Sequence, residues 1–323
     1  MTTQQIEYVL TLAEEKSFSK ASQKLYVTQP SLSQFIKNLE NELSTQLFDR
    51  SSSPIRLTPT GEAYVKAARK IKALEQELNN QIADLTNLQS GELNIGTSPF
   101  RASCLLPKSI AAFQKKYPGV SIHILENQMS NLEGAALEGS LDLYLGTGPF
   151  NESLFHAESL AEEQLYLAVP LDCPLNKGLE AFQISDSDIK LDSLKLHKTP
   201  AVDLSLFKTE QFIFQQQGQK LYSHALDICQ SASFEPNIIL FSERLETAFS
   251  WVLASIGLSF IPDFLIRFGN YEKHPVYYKI SHPLATRHLS IAYKKNRYLS
   301  RAAIEYITVL KQLIGYGTWH YTK

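Results

Sequence analysis

The sequence predicts a helical head with a small β-wing, one long helix, and a larger α/β domain of two lobes. Three observations carry this. Residues 1–60 show helical periodicity that gives way to a Ser/Pro-rich stretch. From about 60 to 90 no Gly or Pro follows Gly61, and beyond Gly91 short apolar runs alternate with amphipathic ones. With 323 residues, 44% of them hydrophobic, the chain can bury a large core and has room for roughly two domains.

In the head, Ile6, Val9, Leu10 and Ala13 give a first helix one apolar face, and Phe18, Ala21, Leu25 and Val27 suit a short second helix. In VTQPSLSQFIKNLENEL, Leu32, Ile36, Leu39 and Leu43 recur at spacings of four, three and four. Pro30 falls at the start of that pattern. A proline lacks an N–H that the first helical turn leaves unpaired anyway, whereas inside a helix it costs roughly 3 kcal/mol. With Thr28 or Gln29 as N-cap, Pro30 therefore begins a helix, and the segment reads helix, short turn, helix. Pro30, Gln34, Lys37, Asn38 and Asn41 lie opposite the apolar stripe, with Ser31 and Ser33 on its flanks. Amides, hydroxyls and a cation are the groups that meet base edges in a major groove, and a helix N-terminus offers free N–H groups to a phosphate. On this stretch alone an ordinary solvated helix face is the alternative. LFDRSSSPIRLTPTGE then breaks the helical period, with Leu47, Ile55 and Leu57 anchoring a short hairpin or wing.

In the long helix, Ile71, Leu74, Leu78, Leu85 and Leu88 fall on a heptad seam with Gln81 as its polar member. A single stripe on so long a helix has no core of its own, so a dimeric coiled coil is the expected solution, with packing against its own domain as the alternative. Strands are expected at 93–97, 120–125, 141–146, 163–170, 212–214, 237–241, 258–262, 276–280 and 288–295. Helices are expected at 101–117, 131–139, 219–232, 244–255 and 301–314. Strands spaced by helices predict a parallel sheet.

Charge is nearly balanced, at 31 basic against 33 acidic residues, so any nucleic-acid affinity rests on a local patch. No apolar run approaches a membrane span and no signal pattern opens the chain, which places it as soluble and cytoplasmic. Cys104, Cys173 and Cys229 are too scattered for a metal site, and no metal or cofactor is expected. GxSxG, P-loop, GxGxxG and HExxH are all absent, so the chain is not expected to be an enzyme. Asp142 after an apolar strand start is expected as a cap or ion-pair member.

SFSKASQKLYVTQPSLSQFIKNLENELSTQLFDR and the following IRLTPTGE closely resemble the N-terminal winged helix-turn-helix of LysR-type transcriptional regulators. The resemblance implies a winged head at 1–60, a linker and dimerisation helix at 61–90, and a two-lobed effector domain of periplasmic-binding-protein type at 91–323. Its first lobe would take about 91–161 and 268–323, and its second about 162–267. It also implies a homodimer or homotetramer that binds double-stranded DNA, senses a small molecule, and contacts RNA polymerase through altered DNA bending. Gln29, Pro30, Ser31, Ser33, Gln34 and Lys37 then occupy recognition-helix positions, Arg50 precedes the wing, and Arg56 is the wing's cation. Three departures stand out: Phe35 at a usually polar position, Ser53 in place of a basic wing residue, and an apparent insertion at 174–211. The competing reading is a soluble ligand-binding or structural protein whose head makes protein contacts only.

In such a domain a ligand sits beyond strand C-termini. The first strand ends at Thr97-Ser98-Pro99, followed by Phe100 and Arg101, where hydroxyls, N–H groups and a guanidinium can hold an anion. The resemblance adds Gln128, Met129 and Gln215. Ser98 as a mere helix cap and Arg101 as a solvated charge are the alternatives, and Phe100 leaves an aromatic effector as open as an anion.

Overall fold

In the computed structural model, which describes residues 1–85 and 91–314, each head helix begins at a side-chain cap. The Thr2 hydroxyl accepts from the Gln5 N–H while the Gln5 side chain accepts from the Thr2 N–H, which starts α1 (Thr3–Glu15). Ser17 caps α2 (Phe18–Lys24). Thr28 caps α3 (Gln29–Glu42) by accepting from the Ser31 N–H at 3.2 Å, with Pro30 in the first turn. Pro30 starts a helix, as its chemistry requires. Ile6, Val9, Leu32, Ile36 and Leu39 close one core with Leu47 and Phe48. The wing is a minimal antiparallel pair, β1 (Phe48–Asp49) and β2 (Arg56–Leu57).

Helix α4 (Pro59–Leu85) completes that core with Tyr64, Val65 and Ala68. Gly61 is required where it passes the wing, since a Cβ there would lie 2.0 Å from the Leu47 carbonyl oxygen. Farther along, Asn80 and Ala83 are buried, and Arg69 pairs with Glu138 at 2.8 Å. One face of α4 thus packs on its own chain. Of the expected seam, Leu74 is 66% and Leu85 86% exposed, and Ile71, Leu78 and the unforeseen Ile82 are exposed beside them. Leu88 lies outside the described residues.

The α/β part runs β3 (Gly91–Thr97), α5 (Pro99–Cys104), α6 (Leu106–Lys116), β4 (Val120–Glu126), α7 (Met129–Glu138), β5 (Leu143–Thr147) and β6 (Phe155–Val169). There follow β7 (Gln183–Ile184), α8 (Asp186–Lys190), α9 (Leu194–Lys198), β8 (Gln211–Gln215), α10 (Lys220–Ser231), β9 (Asn237–Ser242) and α11 (Leu245–Leu253). β10 (Ser259–Pro262), α12 (Asp263–Phe268), β11 (Val276–Lys279), β12 (Thr286–Lys294) and α13 (Arg301–Ile314) complete the described chain. The main sheet is ordered β4-β3-β5-β12-β6-β11-β7, with β10 also on β6, and β8 and β9 form a parallel pair.

The expected parallel sheet is a mixed one. β3 pairs in parallel with β4 and β5, but β12 runs antiparallel to β5 and β6, and β10 and β11 antiparallel to β6. The expected helix 101–117 is two helices that meet at Leu105, because Pro107 cannot donate back along a continuing helix and sits in the first turn of α6 instead. β6 begins at Phe155 rather than 163; its first half pairs with β12 and its second with β10 and β11, so one strand serves both lobes. β11 falls in the stretch expected to have returned to the first lobe, yet it pairs with the second-lobe half of β6, and the return comes at β12. The short elements from β7 to α9 occupy the apparent insertion.

Replacing Leu74 and Leu78 together by Glu puts charges on the exposed seam. Light scattering is expected to show loss of the dimer with helical content retained; a dimer of unchanged mass would place the interface elsewhere.

Candidate nucleic-acid interface and ligand cleft

The α3 stripe of Leu32, Ile36 and Leu39 turns the opposite face outward, where Gln29, Pro30, Ser31, Gln34 and Lys37 are exposed and Ser33 half-buried. Ser31 Oγ lies 2.7 Å from the Thr28 hydroxyl, and the Gln34 amide donates to Asn38 at 2.8 Å. Phe35 leaves this face, its ring packing on Tyr8 of α1 with centroids 4.7 Å apart. Tyr26, which the sequence reading did not single out, stands 96% exposed at φ 55° in the turn before Thr28.

Arg56 is exposed on the wing. Arg50 is engaged internally. Its Nη2 donates to Glu40 Oε2 at 2.8 Å, and its guanidinium lies 5.1 Å from the Phe18 ring. Glu40, buried on α3, also accepts from the Leu47 and Phe48 N–H groups through Oε1, at 2.9 and 3.1 Å. This carboxylate, missed by apolar-face reasoning, fastens α3 to the wing with charge-assisted bonds.

The second cluster lies where β3, β5 and β8 end. Thr97 is fully buried, and its hydroxyl donates to the Leu145 carbonyl at 3.3 Å. Pro99 opens α5, and Phe100 is buried in the large apolar core. Ser98 sits at the α5 N-cap without a side-chain cap bond; its Oγ accepts from Arg101 Nη1 at 3.3 Å. Arg101 is no solvated charge. It is 7% exposed and donates through Nη2 to both oxygens of Glu163, at 3.2 and 3.3 Å. Glu163 on β6 is fully buried and is also paired with its cross-strand neighbour Arg287. Burial pushes the Arg101 pKa down, opposed by the Glu163 charge.

Lys220, at the start of α10, donates across the lobes to the carbonyls of Thr147 and Gly148, at 3.0 and 3.2 Å. Burial, too, lowers its pKa. Gln215 ends β8, buried, with its amide nitrogen unpartnered, as are Nε of Arg101 and of Arg287. Gln128 and Met129 lie at the start of α7; Gln128 is exposed, and Met129 lies over Gly146. Glu163, Lys220 and Arg287 escaped the sequence reading because nothing local marks a buried charge whose partners lie 62 to 124 residues away. A groove of about 290 Å³ lined by Gln183, Asp186, Lys195 and His274 belongs wholly to the second lobe. Asp142 is an ion-pair member, with Arg297 at 3.2 Å. Among the described residues no helix is long and apolar enough to cross a membrane.

The bacterial regulatory helix-turn-helix protein model of the lysR family matches residues 3–62, and the LysR substrate binding domain matches 86–188 and 192–314. The chain is 31% identical over 303 residues to the HTH-type transcriptional regulator YwbI of Bacillus subtilis, covering 94% of this chain and 93% of that one. It is 30% identical over 305 residues to a probable RuBisCO transcriptional regulator of Porphyra purpurea, covering 93% and 90%. Full-length OxyR of Pseudomonas aeruginosa superposes with a TM-score of 0.66 at 25% identity, over 99% of this chain and 96% of that one. Full-length CbnR, solved with its target DNA, shares the fold with a TM-score of 0.65 at 18% identity, over 97% and 99%.

Glu40→Gln keeps one acceptor but loses the charge. Urea unfolding is expected to show a loss of about 1–3 kcal/mol, and Arg50→Ala in that background should add little; additive losses would mean that the two residues act separately.

Proposed function

The chain belongs to the LysR family of transcriptional regulators, and from that premise we propose how its own residues divide the work. Gln29, Ser33 and Gln34 read base edges from the outward face of α3, while Pro30 and Ser31 set its N-terminal turn against the backbone. Lys37 and Arg56 take phosphates, and Arg50 contributes by holding the wing to α3. The exposure of this face, free of acidic side chains up to the buried Glu40, is the observation that carries the reading. Tyr26 adds a backbone contact beside Thr28.

Residues 1–60 act as the head, 61–90 as the linker and dimerisation helix, and 91–323 as the effector domain, in a cytoplasmic homodimer or homotetramer. The effector lies between the lobes, touched by Ser98, Arg101 and Gln215, with Thr97 and Phe100 fixing the turn from behind and Pro99, Gln128 and Met129 at its margin. Binding alters the angle between heads, hence the bend of the DNA and the contact with RNA polymerase. The chain carries out no catalysis on this reading.

A salt-titrated gel shift tests it. Gln29→Ala should weaken binding to the operator by about 1–3 kcal/mol while sparing random duplex, and Lys37→Ala should weaken both and reduce the salt slope by about 1. Equal losses for Gln29→Ala on both duplexes would mean that it reads no base.

A further inference from the structure

The charges that meet between the lobes do not balance, and we propose that this cleft is built for a small molecule carrying at least two negative charges, a dicarboxylate or a phosphate monoester, held by Arg101, Arg287 and Lys220. The inference rests on the cleft being the effector site and names the chemistry it selects. Two guanidiniums share one fully buried carboxylate, Glu163, which leaves one positive charge over. Lys220 brings a second. Its ammonium meets only the neutral carbonyls of Thr147 and Gly148; Glu133 acts on it through space, and no ion pair joins them among the described residues. His224 adds no compensating charge, because burial and the nearby Arg287 and Lys220 hold its imidazole toward the neutral form.

The hydrogen bonds point the same way. Nε of Arg101, Nε of Arg287 and the amide nitrogen of Gln215 are buried donors without acceptors. Buried N–H groups are almost always paired, and an oxyanion supplies several acceptors at once. A neutral polyol would leave the two charges uncompensated, and a cation would add to them. Lys220 also gives the site its coupling: it stands on the second lobe and holds the first, so an anion that draws the ammonium off Thr147 and Gly148 changes how the lobes meet.

Thermal unfolding of the full chain, with succinate, glycerol 2-phosphate, inorganic phosphate or glycerol at matched ionic strength in chloride, tests the assignment. The expected result is a saturable rise in midpoint with succinate or with the two phosphates, none with glycerol, and at least about tenfold weaker apparent binding in Lys220→Met. Lys220→Arg should restore most of it, and unliganded spectra identify any variant that fails to fold. A response to succinate alone assigns the dicarboxylate, and one to phosphates alone the phosphate monoester. No response to any anion, or one unchanged in Lys220→Met, overturns the proposal. A gel shift on the same samples keeps the two readings apart: DNA binding without an anion response refutes the ligand chemistry alone, and an anion response without DNA binding refutes the regulatory reading.

Discussion

Glu163 cannot be buried alone. A fully buried carboxylate is tolerated only when ionic partners and hydrogen bonds replace its hydration, and here those partners come from two other elements, Arg101 on α5 and Arg287 on β12. Because β6 passes from the first lobe into the second, its one buried acid fixes both elements at the junction of the lobes. Ser98 is held in turn through Arg101. The placement of Ser98, Arg101 and Arg287 follows from satisfying a single charge.

The head solves a similar problem with Glu40. Three donors, two from backbone and one from Arg50, converge on a carboxylate at the end of α3. Helix α4 links the head to the α/β domain. It begins in the head core at Tyr64 and Val65, meets α7 through Arg69 and Glu138, and reaches the start of α13 where Asp84 accepts from the Arg301 N–H at 2.8 Å. The head and the α/β domain are thus joined through packed and hydrogen-bonded contacts within the chain.

What the sequence made legible was whatever repeats locally. Pro30 with Thr28 and the 3.6-residue stripe of α3 are short-range signals, and the structure bears them out in Thr28 as N-cap and in the burial of Leu32, Ile36 and Leu39, while Leu43 at the helix end is exposed. The heptad positions Ile71, Leu74, Leu78 and Leu85 of α4 are exposed. Strand direction was not legible, because an apolar run such as LSFIP reads the same whichever way its neighbour lies; β10 is antiparallel to β6. The first half of β6 hid in FHAESLAE, a stretch with too little alternation to announce a strand. Arg101 was visible as a candidate, but its burial was not, since that depends on Glu163 across the fold. Phe35 stood out as an apolar residue at a usually polar position, while its partner Tyr8 belonged to another helix.

The central claim is that the outward face of α3 enters a major groove. Methylation interference at guanine N7 on duplex from upstream of the chain's own gene tests it most directly, since that atom lies in the major groove. The account predicts interference in two half-sites related by the symmetry of the dimer, on one face of the duplex. Binding untouched by N7 methylation throughout the protected region would contradict it.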